Sequence, residues 1–260
     1  MEVKDKNIFV ITICSGKGGV GKSVLAANLA KILAQTNKVL VWDTNRYFPN
    51  QHILFGVEPP VRMKDVYSGR IKVEKAICRL SENLDLIADI PATNALQNSA
   101  SSYIYVDIFE QIANLNQYDI LIIDSPAGYS PDLLQICTFS DFVSVVITDE
   151  PTSLLDGYGL IKILIKYISS KKINIIVNNI IDNEDAEDIW SKLNMALMNF
   201  LKIKLDLIGY VPYHRIVRQS ILHQELFIDT HPTEDVSLAL QKAAEIYQNL
   251  IFENEIIVKV

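Results

Sequence analysis

Short β-branched apolar runs alternate with longer amphipathic runs from end to end, and this alternation limits the fold more than any other feature. Residues 8–14, 39–42, 84–87, 120–123, 143–147, 173–177 and 207–211 are brief and nearly continuous in hydrophobicity, as strands covered on both faces are. Helical patterns lie between them at 22–35, 106–115, 154–169, 186–201 and 236–251. That order predicts an α/β fold: a mainly parallel, twisted sheet with helices on both faces. Ligands in such sheets sit beyond the carboxyl ends of the strands. The loops after Cys14, Asp43, Asp124 and Val177 are therefore where chemistry is expected. No stretch has linker composition, and there is no internal repeat. Residues 1–260 read as one domain, with a first strand from about residue 8 and a tail over 252–260.

Gly16-Lys17-Gly18-Gly19-Val20-Gly21-Lys22-Ser23 fits G-x-x-x-x-G-K-[ST] in full, directly after a strand and directly before a helix. Strand, loop and helix in register are the context that gives this motif its meaning. Its glycines let successive backbone N–H groups turn inward around phosphates, and the helix adds its positive N-terminal end. Lys22 is expected on the β- and γ-phosphates and the Ser23 hydroxyl on Mg²⁺. This is the pattern of a single-domain P-loop NTPase, with ATP and Mg²⁺ as its cofactors.

A buried run, Ile120-Leu121-Ile122-Ile123, ends in Asp124, and a second, Val39-Leu40-Val41-Trp42, ends in Asp43. A carboxylate at the end of such a strand can hold Mg²⁺ through water. Ser23, Asp43 and Asp124 form the expected metal set. Ser125-Pro126-Ala127-Gly128 follows Asp124, small enough to respond to a γ-phosphate.

The loop GKGGVGKS resembles the deviant Walker A motif of the MinD/ParA family. There a signature lysine, here Lys17, crosses a nucleotide-sandwich dimer to touch the partner's ATP, so the resemblance implies a homodimer held by ATP. Family members carry D-x-D after the second strand, with the second aspartate orienting the attacking water. This chain has Asp43-Thr44-Asn45, and lacks the usual glycine in Arg46-Tyr47-Phe48-Pro49, while Asn50 matches an asparagine often found there. An amide can hold a water but cannot take its proton. The catalytic set is thus Lys17, Lys22, Asp43 and Asn45, with slow or partner-dependent hydrolysis expected.

Ile123-Asp124-Ser125-Pro126-Ala127-Gly128-Tyr129-Ser130 and Glu150-Pro151-Thr152-Ser153-Leu154-Leu155-Asp156-Gly157-Tyr158 resemble segments of the FlhG/FleN/YlxH flagellar-number regulators. Locally, Thr152 and Ser153 also read as caps of a helix starting near Leu154, with Asp156 in its first turn. Ile175-Ile176-Val177-Asn178 resembles the strand whose asparagine reads adenine, and Leu207-Ile208-Gly209-Tyr210-Val211-Pro212-Tyr213 the segment closing over the base. The resemblance therefore adds Asn178, Pro212 and Tyr213 to the nucleotide-binding residues 16–23. His214 stands where an acidic residue is usual and reads as a loop residue. The branch also implies an N-terminal helix stimulating a partner GTPase, for which there is no room before Ile8, and an unidentified regulatory protein partner.

Other classes fit less well. Hydrophobic residues make up 49% and charged ones 21%, a globular rather than a disordered composition. The net charge of −7 argues against a broad nucleic-acid footprint. From Leu201 onward, six Lys plus Arg face eight Asp plus Glu, which weighs against a ParA-type DNA partition protein, and no nucleic acid is expected. Cys14, Cys78 and Cys137 form no C-x-x-C pair, which weighs against an iron–sulfur carrier and suggests a reducing, cytoplasmic setting. A metabolic ligase would need a substrate site that no motif identifies. An ATP-binding scaffold stays open because of Asn45. In the last helix Val236, Leu240, Ala243, Tyr247 and Leu250 recur at core spacing, with Lys242 as its one cation and Glu253 and Glu255 beyond it. Weak or no membrane binding follows, because interfacial helices need basic residues beside the apolar face.

Overall fold

The computed structural model describes residues 8–89 and 104–258. In chain order the elements are β1 (Phe9–Cys14), α1 (Lys22–Leu33), β2 (Val39–Asp43), α2 (Gln51–Leu54), α3 (Met63–Tyr67), β3 (Ile77–Arg79) and β4 (Leu84–Ile87). There follow α4 (Ile104–Asn114), β5 (Ile120–Asp124), α5 (Pro131–Phe139), β6 (Phe142–Ile147), α6 (Pro151–Leu164), β7 (Ile173–Ile180) and α7 (Asn183–Leu201). The chain closes with β8 (Asp206–Pro212), α8 (Arg215–His223), α9 (Phe227–Thr230) and α10 (Asp235–Val258). The strands form one eight-stranded sheet in the order β3-β4-β2-β5-β1-β6-β7-β8. Every neighbouring pair is parallel except β3 and β4.

Successive side chains of a strand point to opposite faces, and both faces here are covered. Val39 and Val41 of β2, with Ile120 and Ile122 of β5, pack under α1 and α10. Leu40 and Trp42, with Leu121 and Ile123, pack against Tyr105, Ile108 and Phe109 of α4. A third cluster joins β6 and β7 to α5, α6 and α7. Each fully buried Leu or Ile in these layers contributes on the order of 2 kcal/mol. The expected mainly parallel sheet with helices on both faces is what forms, and all seven expected strands are present.

Several local expectations need correction. Helix α6 begins at Pro151, three residues before the expected start, because proline at the first helical position fixes φ for the turn. Thr152 and Ser153 do not cap it: Ser153 Oγ accepts from Thr148 N at 2.9 Å and Thr152 Oγ1 accepts from Lys17 Nζ at 3.0 Å. Asp156 accordingly lies beyond the first turn. The supposed tail over 252–260 is helical as far as Val258. The side chains of Glu253 and Glu255 lie outside the described residues, as does the segment before Ile8, where no N-terminal helix is expected. Helix α5 was not among the expected helices; it starts at Pro131 behind a Ser130 cap, whose Oγ accepts from Leu133 N at 3.1 Å. Among the described residues, no helix is long and apolar enough to cross a membrane.

Candidate functional site

Parallel strands bring their carboxyl ends to one edge, and the candidate site is built there. β1 ends at Cys14, and the phosphate loop follows it into α1. Lys22, buried at the start of α1, donates to Ser15 Oγ at 2.8 Å, and Ser15 Oγ in turn donates to the Lys17 carbonyl at 2.5 Å. Burial lowers the Lys22 ammonium pKa below its ordinary value, while Asp124 and Cys14 work against that shift. A cation kept short of solvent in this way is matched to an incoming phosphate.

Two glycines of the loop are fixed by close approach. Gly21 caps α1 with φ at 92°, and a Cβ there would lie 2.3 Å from Asn178 Nδ2. A Cβ on Gly16 would lie 2.2 Å from the backbone oxygen of Asp156. Gly16→Ala must therefore displace either the loop or α6, and is expected to cost about 3 kcal/mol. A thermal melt checks this, and an unchanged midpoint would contradict the close packing of loop and helix.

Asp43 and Asp124 face each other across β2 and β5, paired in register. Both are buried. Asp43 accepts three backbone N–H groups: Asn45 at 3.0 Å, Asn50 at 2.8 Å and Gln51 at 3.0 Å. Burial first, and the charge of Asp124 second, push the Asp43 carboxyl from 3.8 up to about 7. Burial also raises Asp124, opposed by hydrogen bonds from Ser23 and Gln51 and by Lys22. Gln51, which no motif singled out, donates from Nε2 to Asp124 Oδ2 at 2.8 Å and to the Ser23 carbonyl at 3.0 Å. Asp124 Oδ1 is buried without a hydrogen-bond partner.

Two facing carboxylates, an unpartnered carboxylate oxygen and the Ser23 hydroxyl suit a hard divalent cation that keeps waters and phosphate oxygens as its other ligands. Among the described residues no group of three or more His, Cys, Asp or Glu is placed to hold a metal by itself. Mg²⁺ arriving with a nucleotide fits this donor set. Ser23, Asp43 and Asp124 would hold it, and it would neutralise charge on the phosphates.

The raised Asp43 carboxyl has a consequence with a definite sign. The folded chain holds a proton there that the unfolded chain releases near 3.8. Stability of the nucleotide-free chain therefore falls as pH rises through the interval from 3.8 to about 7, and this contribution is flat above it. Asp124→Asn removes one of the two causes and is expected to make that fall shallower. Melting midpoints between about pH 5 and about pH 8 read the difference.

A cavity of ≈ 290 Å³ opens beside the loop. Lys17, Gly18, Gly19, Val20 and Gly21 form one side, and Asn178, Pro212 and Tyr213 another. Thr148, whose Oγ1 is buried without a partner, also lines it. Gly16, Lys22, Ser23, Asp43 and Asp124 belong to the adjoining loop and strand ends.

Asn178, Lys17 and Asn45 are also engaged within the chain. Asn178 Nδ2 donates to the Val20 carbonyl at 2.7 Å, so its amide braces the loop as well as lining the cavity. Lys17 Nζ pairs with Glu150 Oε2 and donates to Thr152 Oγ1. Hydrogen bonding to Lys17 holds the Glu150 carboxyl below its usual range. Asn45 Oδ1 accepts from Phe48 N at 3.1 Å. His214 caps α8, its Nδ1 accepting from Ile216 N at 3.3 Å.

Residues 6–250 match the family model ParA, described as "NUBPL iron-transfer P-loop NTPase". Antiactivator FleN of Pseudomonas aeruginosa is 28% identical over 91% of this chain and 85% of its own length. Flagellum site-determining protein YlxH of Helicobacter pylori is 25% identical over 92% of this chain and 81% of its own. Among solved structures, the MinC:MinD cell division protein complex of Aquifex aeolicus contains a chain that superposes with a TM-score of 0.74 at 26% identity. That match covers 93% of this chain and 96% of that one.

Proposed function

Because this chain belongs to the ParA/MinD family of P-loop NTPases, we propose that it is a MinD-like ATPase switch that binds MgATP and pairs with a second copy across the nucleotide. The observation that carries this reading is the shared cavity, lined by the phosphate loop on one side and by Asn178, Pro212 and Tyr213 on the other. A phosphate cradle and a base site within one cavity are what a nucleotide requires. Hydrolysis of ATP to ADP and phosphate would return the pair to single copies. Residues 1–260 would act as one cytoplasmic ATPase domain that passes its nucleotide state to a regulatory protein partner. The likeness to FleN and YlxH supports control of the number or placement of a cellular structure, the flagellum in the name of YlxH being the example.

Sizing by light scattering with MgATP, with MgADP and without nucleotide tests this reading. A dimer in MgATP alone is expected. A single copy under all three conditions would defeat the sandwich.

One observation favours a second reading, an ATP-binding scaffold with little turnover. Asn45 is neutral, and its amide oxygen is turned onto Phe48 N, leaving no carboxylate at that position to polarise a water. Iron transfer, named in the description of the family model, gains no support from the cysteines. Cys14 and Cys137 are buried and only Cys78 is partly exposed.

A further inference from the structure

β8 ends the sheet, and among the described residues β7 is its sole strand neighbour. Such an edge presents a row of backbone N–H and C=O groups to any strand that can reach it. A groove of ≈ 910 Å³ runs here, touching Leu207, Ile208, Gly209 and Tyr210 in succession. Successive residues point to opposite faces of a sheet, so a groove that touches all four lies along the backbone edge. One wall is α10, through Leu238 and Ile246, both exposed. The other is the turn from β7 into α7, where Ile181 is 82% exposed. The groove thus has apolar side chains on both walls and runs beside the backbone edge of β8.

Its rim is acidic. Asp182, Glu184 and Asp235 line it against a single cation, Lys242. Asp182 caps α7 by accepting from Asp185 N at 2.9 Å, and all three acids stand at helix N-termini, whose positive ends each offset about half a charge. The rim stays negative after those offsets and Lys242. A second copy of this chain would bring the same acids against themselves, so edge-to-edge self-pairing is opposed. A segment that carries Lys or Arg at the rim and apolar side chains within the groove is complementary.

We propose that this groove docks an extended, basic segment of a partner protein, which joins the sheet as a further strand beside β8. Strand addition of this kind takes affinity from main-chain hydrogen bonds and specificity from alternate side chains. The seven residues of β8 span about 23 Å, enough for a segment of roughly six residues. Pro212 lines both this groove and the nucleotide cavity, so the docked strand would abut the ATP site. This names a surface for the regulatory partner proposed above, and rests on that reading only for the partner's role.

The test uses the full, nucleotide-free chain and a library of amidated octapeptides that alternate Val, Ile or Tyr with Lys or Arg. Fluorescence anisotropy reads binding, and amide hydrogen exchange reads β8. Members of the library are expected to bind with Kd below about 100 μM and to slow amide exchange within residues 207–211. Glu184→Lys and Ile181→Asp, both at exposed positions, should each weaken binding by about tenfold or more while far-UV circular dichroism shows the fold retained. Peptides N-methylated at alternate backbone positions, or carrying Glu in place of Lys and Arg, should not bind.

No binding up to about 1 mM, or binding that leaves β8 exchange unchanged or tolerates N-methylation, overturns the proposal. Protection of β8 that rises with protein concentration alone overturns it in favour of self-pairing. With nucleotide absent, failure here leaves ATP-dependent dimerisation intact, and failure of dimerisation leaves the peptide result standing.

Discussion

Lys17→Ala is expected to leave the chain a single copy in MgATP while nucleotide binding survives. The phosphates are served by Lys22 and by the inward N–H groups of the loop, and neither depends on Lys17. In the single chain the Lys17 ammonium is directed to Glu150 and Thr152 at the rim of the cavity. That pair is partly open to solvent, with side chains 32% and 58% exposed, and exposed ion pairs are weak. It can therefore yield to a stronger contact with a partner's phosphates. Losing a charged contact across a closed interface is expected to weaken the dimer by roughly a hundredfold. Light scattering across a protein titration in MgATP reads this directly. Glu150→Gln should act the other way, releasing Lys17 and tightening the dimer. A Lys17→Ala chain that pairs as the natural one does would show that this lysine does not cross between copies.

Much of the fold was legible because parallel strands buried on both faces leave continuous apolar runs, and those runs are unmistakable at Ile120-Leu121-Ile122-Ile123 and Val39-Leu40-Val41-Trp42. Strand β3 was not legible. Three residues that include Arg79 make no run, and its pairing is antiparallel at an edge. Helix α8 is hard to read although Ile216, Val217 and Ile221 recur at helical spacing, because it is only nine residues long and Arg218, Gln219 and Ser220 interrupt the apolar positions.

The phosphate loop was legible as a motif, but its supports came from elsewhere in the chain. Asp43 and Asp124 become partners only because β2 and β5 are neighbours in the sheet, which spacing along the chain does not reveal. Gln51 ties Asp124 to Ser23 from a four-residue helix with no motif of its own. Its fully buried amide has a physical reason once the facing carboxylates are seen, since a buried charge needs hydrogen bonds. The turn of Lys17 toward Glu150 is a further case. The sequence supplies both residues but not the fold of β6 and α6 that sets them side by side.

Asn45→Asp should raise ATP turnover, and by the largest factor of any single change considered. The substitution is nearly isosteric, and one carboxylate oxygen can keep the bond that Asn45 Oδ1 now accepts from Phe48 N. The local turn is therefore retained while the second oxygen gains a negative charge. That charge can orient a water and draw on its proton, a contribution of about 10² or more in rate where such a base is well placed. Phosphate release from the natural chain should be slow, and from Asn45→Asp faster by at least about tenfold, with dimer formation in MgATP retained. Faster turnover should also shorten the life of the dimer, so the variant's dimer should decay as ATP is consumed while the natural one persists. Equal rates would mean that a step other than water activation limits the cycle, such as release of a partner or of ADP. Brisk hydrolysis by the natural chain would show that Asn45 does not restrain it, and would remove the basis for the scaffold reading.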